Sequence, residues 1–138
     1  APRAVREGVA GPTFASVSDP SQLMAEIVAR TREMVELVNG GNVAVVVPDL
    51  MAEKVADMFA EAGVTFGRAS NTALDNGITI VPVSVVKGLE LDGVVVVEPS
   101  DIVEAEAQGM RSLYVALTRA TQRLTIVHAR PLPPPMIG

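Results

Sequence analysis

Val86-Lys87-Gly88-Leu89-Glu90-Leu91-Asp92 lies between two apolar β-branched runs, Ile78–Val81 and Val94–Val97. Farther along comes Leu113-Tyr114-Val115-Ala116-Leu117-Thr118-Arg119-Ala120, followed by the apolar run Leu124–Val127. Short β-branched runs bounded by turn residues read as strands, and the spacing of Leu113, Ala116 and Leu117 reads as one face of a helix. Residues 78–128 therefore read strand, turn, strand, short helix, strand. They hold most of the charge that looks placed rather than scattered.

Upstream, the pattern of strand then helix repeats. Thr13–Val17 is a candidate first strand with Phe14 pointing inward. Ser18-Asp19-Pro20 starts a helix: proline presets φ at the first position, and Ser18 or Asp19 can cap the free N–H groups. Leu23, Ile27, Met34, Leu37 and Val38 then fall on roughly one face of about five turns, and Asn39-Gly40-Gly41 ends them. Val43–Val47 is an unbroken apolar run of the kind covered on both faces. Met51–Ala62 predicts a second helix with Val55, Met58 and Phe59 inward. Val64–Phe66 is a short strand candidate, and 68–76 reads as a surface loop. Asp92-Gly93 carries a hairpin signal. Pro99–Gly109 reads as a short acidic helix or loop. Residues 1–12 read as a linker, 13–130 as one domain, and 131–138 as a proline-rich tail without regular structure.

Strands alternating with helices predict an α/β fold, an open and mostly parallel sheet with helices on both faces. Ligands of such sheets gather at the carboxyl ends of the strands, which is where the two motifs are expected.

Composition narrows the function. The chain has 138 residues, 49% of them apolar, and a formal net charge of −5. Such a surface does not as a whole attract phosphate backbones. Three Phe, one Tyr and no Trp argue against a stacking platform for single strands. No cysteine and a single histidine remove thiolate sites, disulfides and most zinc sites. No apolar run approaches the roughly 20 residues that span a bilayer, and no secretory signal is visible, so the cytoplasm is the expected compartment. The chain starts on Ala, which suits a fragment or a processed product.

Each motif has two readings. Gly88 after a buried strand permits a sharp turn that brings backbone N–H groups near a ligand. Glu90 would then accept from a ribose hydroxyl or a metal-bound water. The alternative is a plain β-turn with solvated Lys87 and Glu90. Arg119 either complements the C-terminal dipole of its own helix or projects toward a phosphate on a neighbouring domain. Neither a G-x-x-x-x-G-K-[ST] loop nor a glycine-rich dinucleotide turn is present. His128 at a strand end reads as structural or exposed.

The pair Lys87-Gly88-Leu89-Glu90-Leu91-Asp92 and, about twenty residues later, Leu113–Ala120 resembles motifs V and VI of UvrD/Rep-type superfamily 1 helicases. The resemblance is close over 78–128; residues 12–66 fit it only as strand and helix pattern. It implies a second RecA-like motor domain, whose ATP and Mg²⁺ are held mainly by a first RecA-like domain of the same parent chain. It implies no bound cofactor here, and no activity without the phosphate loop and the Mg²⁺ carboxylates. Carried over by position, Arg119 matches the arginine finger, Glu90 the motif V glutamate near sugar and phosphates, and Gly88 the close backbone approach. Lys87 belongs to the motif without an assigned role. Arg111, Tyr114 and Thr118 are motif VI positions read as support.

Departures from the family pattern separate the two sides of the motor. Pro82 and Ser84 stand where Thr and His usually meet single-stranded DNA. Gln108-Gly109 replaces an acidic pair, and Pro48-Asp49 stands where an arginine usually follows. ATP-linked switching thus reads as better kept than DNA gripping. Val86 before Lys87, and Pro-Leu-Pro after the last strand, are similar to HelD-like proteins, which act on RNA polymerase. The expected partners are the first motor domain and, through the parent, DNA or RNA polymerase, but no membrane. A different class of reading is an interaction module that kept the fold and lost the nucleotide.

Overall fold

The computed structural model describes residues 11–69 and 77–137. Most of the expected linker 1–12 and of the loop 68–76 lies outside them. The strands are β1 (Thr13–Ser16), β2 (Asn42–Val47), β3 (Gly67–Arg68), β4 (Gly77–Pro82), β5 (Leu91–Val97) and β6 (Ala120–His128). The helices are α1 (Leu23–Val38), α2 (Ala52–Glu61), α3 (Pro99–Glu104), α4 (Gly109–Leu117) and α5 (Pro134–Ile137). The six strands form one sheet in the order β1-β6-β5-β2-β4-β3, and every pairing is parallel.

Side-chain alternation builds the two faces. Along β2, Val43, Val45 and Val47 pack under α1 and α2 with Ile27, Met34, Val55 and Phe59. Ala44 and Val46 point the other way, onto Val81, Val94, Val96, Leu113 and Leu117. With helices over both faces, the β2 and β5 valines are all buried, which is why these runs do not alternate with polar residues. Asp19 caps the 3-10 turn Pro20–Gln22 that leads into α1, accepting a hydrogen bond from the Ser21 amide at 2.9 Å, and Asn39 closes α1 in the left-handed conformation.

Several expectations are corrected. Asp92-Gly93 makes no hairpin. It lies inside β5, where a register shift between Leu91 and Gly93 puts Leu91 on the same face as Val94. Phe14 is exposed and Ala15 is the inward residue, because edge strand β1 buries only one face. Leu37 is exposed; it falls off the stripe that holds Met34 and Val38. The short strand forms at Gly67–Arg68 instead of Val64–Phe66, and Phe66 packs edge-on against Phe59 with ring centroids 5.8 Å apart. The tail is ordered by docking: the Ser100 hydroxyl donates to the Pro131 carbonyl at 2.6 Å, and α5 follows. Among the described residues, no helix is long and apolar enough to cross a membrane.

Candidate functional site

The segment Val83–Glu90 carries the chain from the carboxyl end of β4 back to the amino end of β5. Val83–Val85 is one 3-10 turn, and Val83 and Val86 anchor the crossing on the second face of the sheet. Gly88 then takes φ +86, a left-handed value that glycine adopts without a Cβ penalty. A Cβ there would meet no other atom, so the backbone angle and not crowding sets the preference. Lys87, Gly88 and Glu90 are exposed.

Arg119 lies between the end of α4 and the start of β6. Leu91 pairs with Ala120 in the sheet, and the Leu91 amide donates to the Arg119 carbonyl at 3.1 Å. Glu90 and Arg119 therefore stand side by side on the backbone, each one residue ahead of a paired strand residue. They share the amino edge of the sheet, with Gly88 just before. The carboxyl-end placement expected from the fold class is thus wrong for Glu90 and Arg119. Both lead into strands rather than out of them.

The Arg119 side chain is half-buried against its own helix end. Its Nε donates to the Val115 carbonyl at 3.1 Å, and its Nη2 to the Thr118 hydroxyl at 3.2 Å. The Thr118 hydroxyl in turn donates to the Val115 carbonyl at 3.0 Å. The capping geometry is real, yet it engages only one side of the guanidinium fork; the Nη1 donors make no hydrogen bond among the described residues. No carboxylate pairs with Arg119 among the described residues. Arg111 and Tyr114 are exposed on α4, with Tyr114 at 59%. Tyr114 does not pack into the core. The Leu113, Ala116 and Leu117 face does.

Polar groups outside the candidate set brace this edge. The Asp92 carboxylate accepts from the Asn42 amide at 2.9 Å and from the Gln122 side chain at 3.2 Å, and the Asp92 amide donates to the Asn42 side-chain oxygen at 2.7 Å. The Thr121 hydroxyl donates to the Leu91 carbonyl at 3.2 Å. Asp92 was visible as part of the first motif. Asn42 and Gln122 carried no local signal, because their roles depend on strand neighbours far apart in sequence.

His128 serves structure: its Nδ1 lies 2.8 Å from the Arg130 carbonyl. Among the described residues, no group of His, Asp and Glu could hold a metal ion.

The UvrD-like helicase C-terminal domain family matches residues 77–127, the stretch that holds both motifs and strands β4 to β6. No curated protein matches the sequence. Among solved structures, the C-terminal domain of a possible DNA helicase from Lactobacillus plantarum WCFS1 is similar over 91% of this chain and 78% of that one, with a TM-score of 0.76 and 21% identity. The SWI2/SNF2 ATPase core of Sulfolobus solfataricus, solved with double-stranded DNA, is similar over 86% of this chain and 28% of that one, with a TM-score of 0.62 and 11% identity. The fold is thus the RecA-like sheet seen in helicase C-terminal domains, and from Gly77 to Val127 this chain is similar to the UvrD-like helicase C-terminal domain family.

Proposed function

We propose that this chain is the second motor domain of a superfamily 1 helicase-like ATPase and completes an ATP site held mainly by a first RecA-like domain. One observation carries the reading. Glu90 and Arg119 flank the Leu91–Ala120 pair on a single sheet edge, joined by the 3.1 Å hydrogen bond from Leu91 to Arg119. In this role Arg119 is the finger. Thr118 and the Val115 carbonyl hold one side of its fork, and the Nη1 side is offered to charge spreading on the transferring phosphoryl group. Glu90 accepts from the nucleotide sugar or a metal-bound water, and the turn at Gly88 lets the backbone approach. ATP and Mg²⁺ would be held on the first domain; what this chain supplies is positioned charge at the edge that meets it.

The test is ATP hydrolysis by the parent protein, wild type against Arg119→Ala, with single-stranded DNA and RNA polymerase in separate assays. A loss of about 10³-fold or more is expected, the usual worth of an arginine finger. A change of less than about tenfold would overturn the assignment and favour an interaction module without nucleotide chemistry.

A second reading concerns the partner. The carboxyl edge, where Ser84 follows β4, is rimmed by Asp49, Asp101, Glu104 and Glu106. Negative charge there disfavours a nucleic-acid backbone and favours action on a protein such as RNA polymerase. Stimulation of the parent ATPase by RNA polymerase and not by DNA is the expected outcome, and the reverse would sink this reading.

A further inference from the structure

The carboxyl edge of the sheet, opposite Arg119, holds an open cleft of about 490 Å³. Its walls are the turn after β2, the turn after β4 and the residues of and after α3. The lining is mainly apolar, with Met51, Val83 and Ile102 among it. Leu50 stands on the rim and is 94% exposed, the most open large apolar side chain among the described residues. Single exposed leucines are ordinary; one on the lip of an apolar cleft is placed to close over something.

The rim charge is of one sign. Asp49, Asp101, Glu104 and Glu106 line the cleft, and no lining residue is basic. Arg130 pairs with Asp101 and Glu104. Among the described residues, Asp49 and Glu106 are held by neutral donors alone, the Ser84 amide at 3.1 Å and the Ser112 hydroxyl at 2.8 Å. The carboxylates are thus fixed in place with charge to spare.

We infer that this cleft is a docking groove for an amphipathic, Lys/Arg-bearing helix of a partner protein. An apolar side chain of that helix sits against Met51 under Leu50, over the floor where Val83 and Ile102 are buried, and its flanking cations meet Asp49 and Glu106. Helix-in-groove recognition combines these two features, apolar anchors on one face and complementary charge beside them. A nucleic acid does not suit the groove. Its phosphates would face four carboxylates, and no aromatic side chain lines the cleft for a base to stack on. The inference does not depend on the role proposed for Arg119, which lies on the other edge.

The test uses the intact chain and three labelled probes read by fluorescence anisotropy. The first is a helical peptide with leucines on one face and Lys/Arg beside them, the second is its Glu-for-Lys/Arg counterpart, and the third is an oligothymidine. The basic peptide is expected to saturate a single site, while the acidic peptide and the oligonucleotide do not bind it. Leu50→Ser and Glu106→Gln should each weaken the basic peptide by about tenfold, the scale of a modest interface anchor. Both positions are exposed, and unchanged circular dichroism and melting would confirm the fold of each variant. Equal binding of the acidic peptide, competition by the oligonucleotide, indifference to Leu50→Ser, or no binding by the basic peptide would each overturn the inference.

Discussion

Arg119 shows how one side chain can both cap a helix and remain available. Its Nε and Nη2 are satisfied by Val115 and Thr118, so the guanidinium is oriented before any ligand arrives. Lysine, a flexible point charge, cannot bond to both and still present a planar fork. Arg119→Lys in the parent should therefore lose ATP turnover almost as fully as Arg119→Ala, by about 10³ or more if Arg119 is the finger. Thr118→Val removes the acceptor for Nη2 and should slow turnover by about tenfold, the worth of a hydrogen bond to a charged group. Thr118→Ser keeps the hydroxyl and should keep the rate. At Gly88 the constraint is backbone: φ +86 suits glycine, and Gly88→Ala should lower stability by about 1 kcal/mol, read as a shifted urea midpoint. A mid-strand position differs. At Gly93 a Cβ would crowd Met34 and Val38, so α1 packs close over β5 only because no side chain intervenes.

The next scale is the strand end and the turn. Asp92 fastens β5 to β2 through Asn42 and reaches β6 through Gln122, so Asp92→Ala should cost about 1–3 kcal/mol by leaving the Asn42 amide without its partner. At the other end of β5, Glu98 takes a left-handed φ of +48 and is buried. Burial pushes its carboxyl up from the usual 4.5, against the lowering pull of the Ala129 and Arg130 amides. The folded chain thus holds this proton more tightly than the unfolded chain. Its contribution to stability is full below pH 4.5 and is lost as pH rises through the raised native value. Urea midpoints should show Glu98→Gln gaining on the wild type as pH rises above 4.5; a constant difference would show that the Glu98 proton is not linked to folding. The β-branched runs and the start and stop of α1 were legible in the sequence, because propensity and caps are local. The parallel pairing at Asp92-Gly93 was not, since a hairpin signal is also local while the partner strands, β2 and β6, are far away in sequence. The same limit hid the edge on which Glu90 and Arg119 meet: each follows an element it belongs to by pattern, but their meeting place is set by the pairing of Leu91 with Ala120.

The whole molecule has two unlike edges, one offering Arg119 and the other rimmed with carboxylates. With its net charge of −5, the isolated domain should bind single-stranded DNA more weakly than about 10⁻⁴ M at physiological salt, outside the usual range for non-specific binders. Anisotropy with a labelled oligonucleotide checks this, and micromolar binding would contradict it. Strand order has a different consequence, one of timing. Among the described residues β1 pairs with β6 alone, in a register that joins Thr13 to Thr125. Strand β1 must therefore wait for β6, the last of the described strands, and until Ala120–His128 emerges β5 also keeps an open edge. A chain truncated after Leu117 should accumulate in the insoluble fraction, with unpaired edges on both strands. During synthesis this domain cannot complete itself piecemeal. Its first and last strands close together, late, and the interval before they do is when the nascent chain most needs a chaperone.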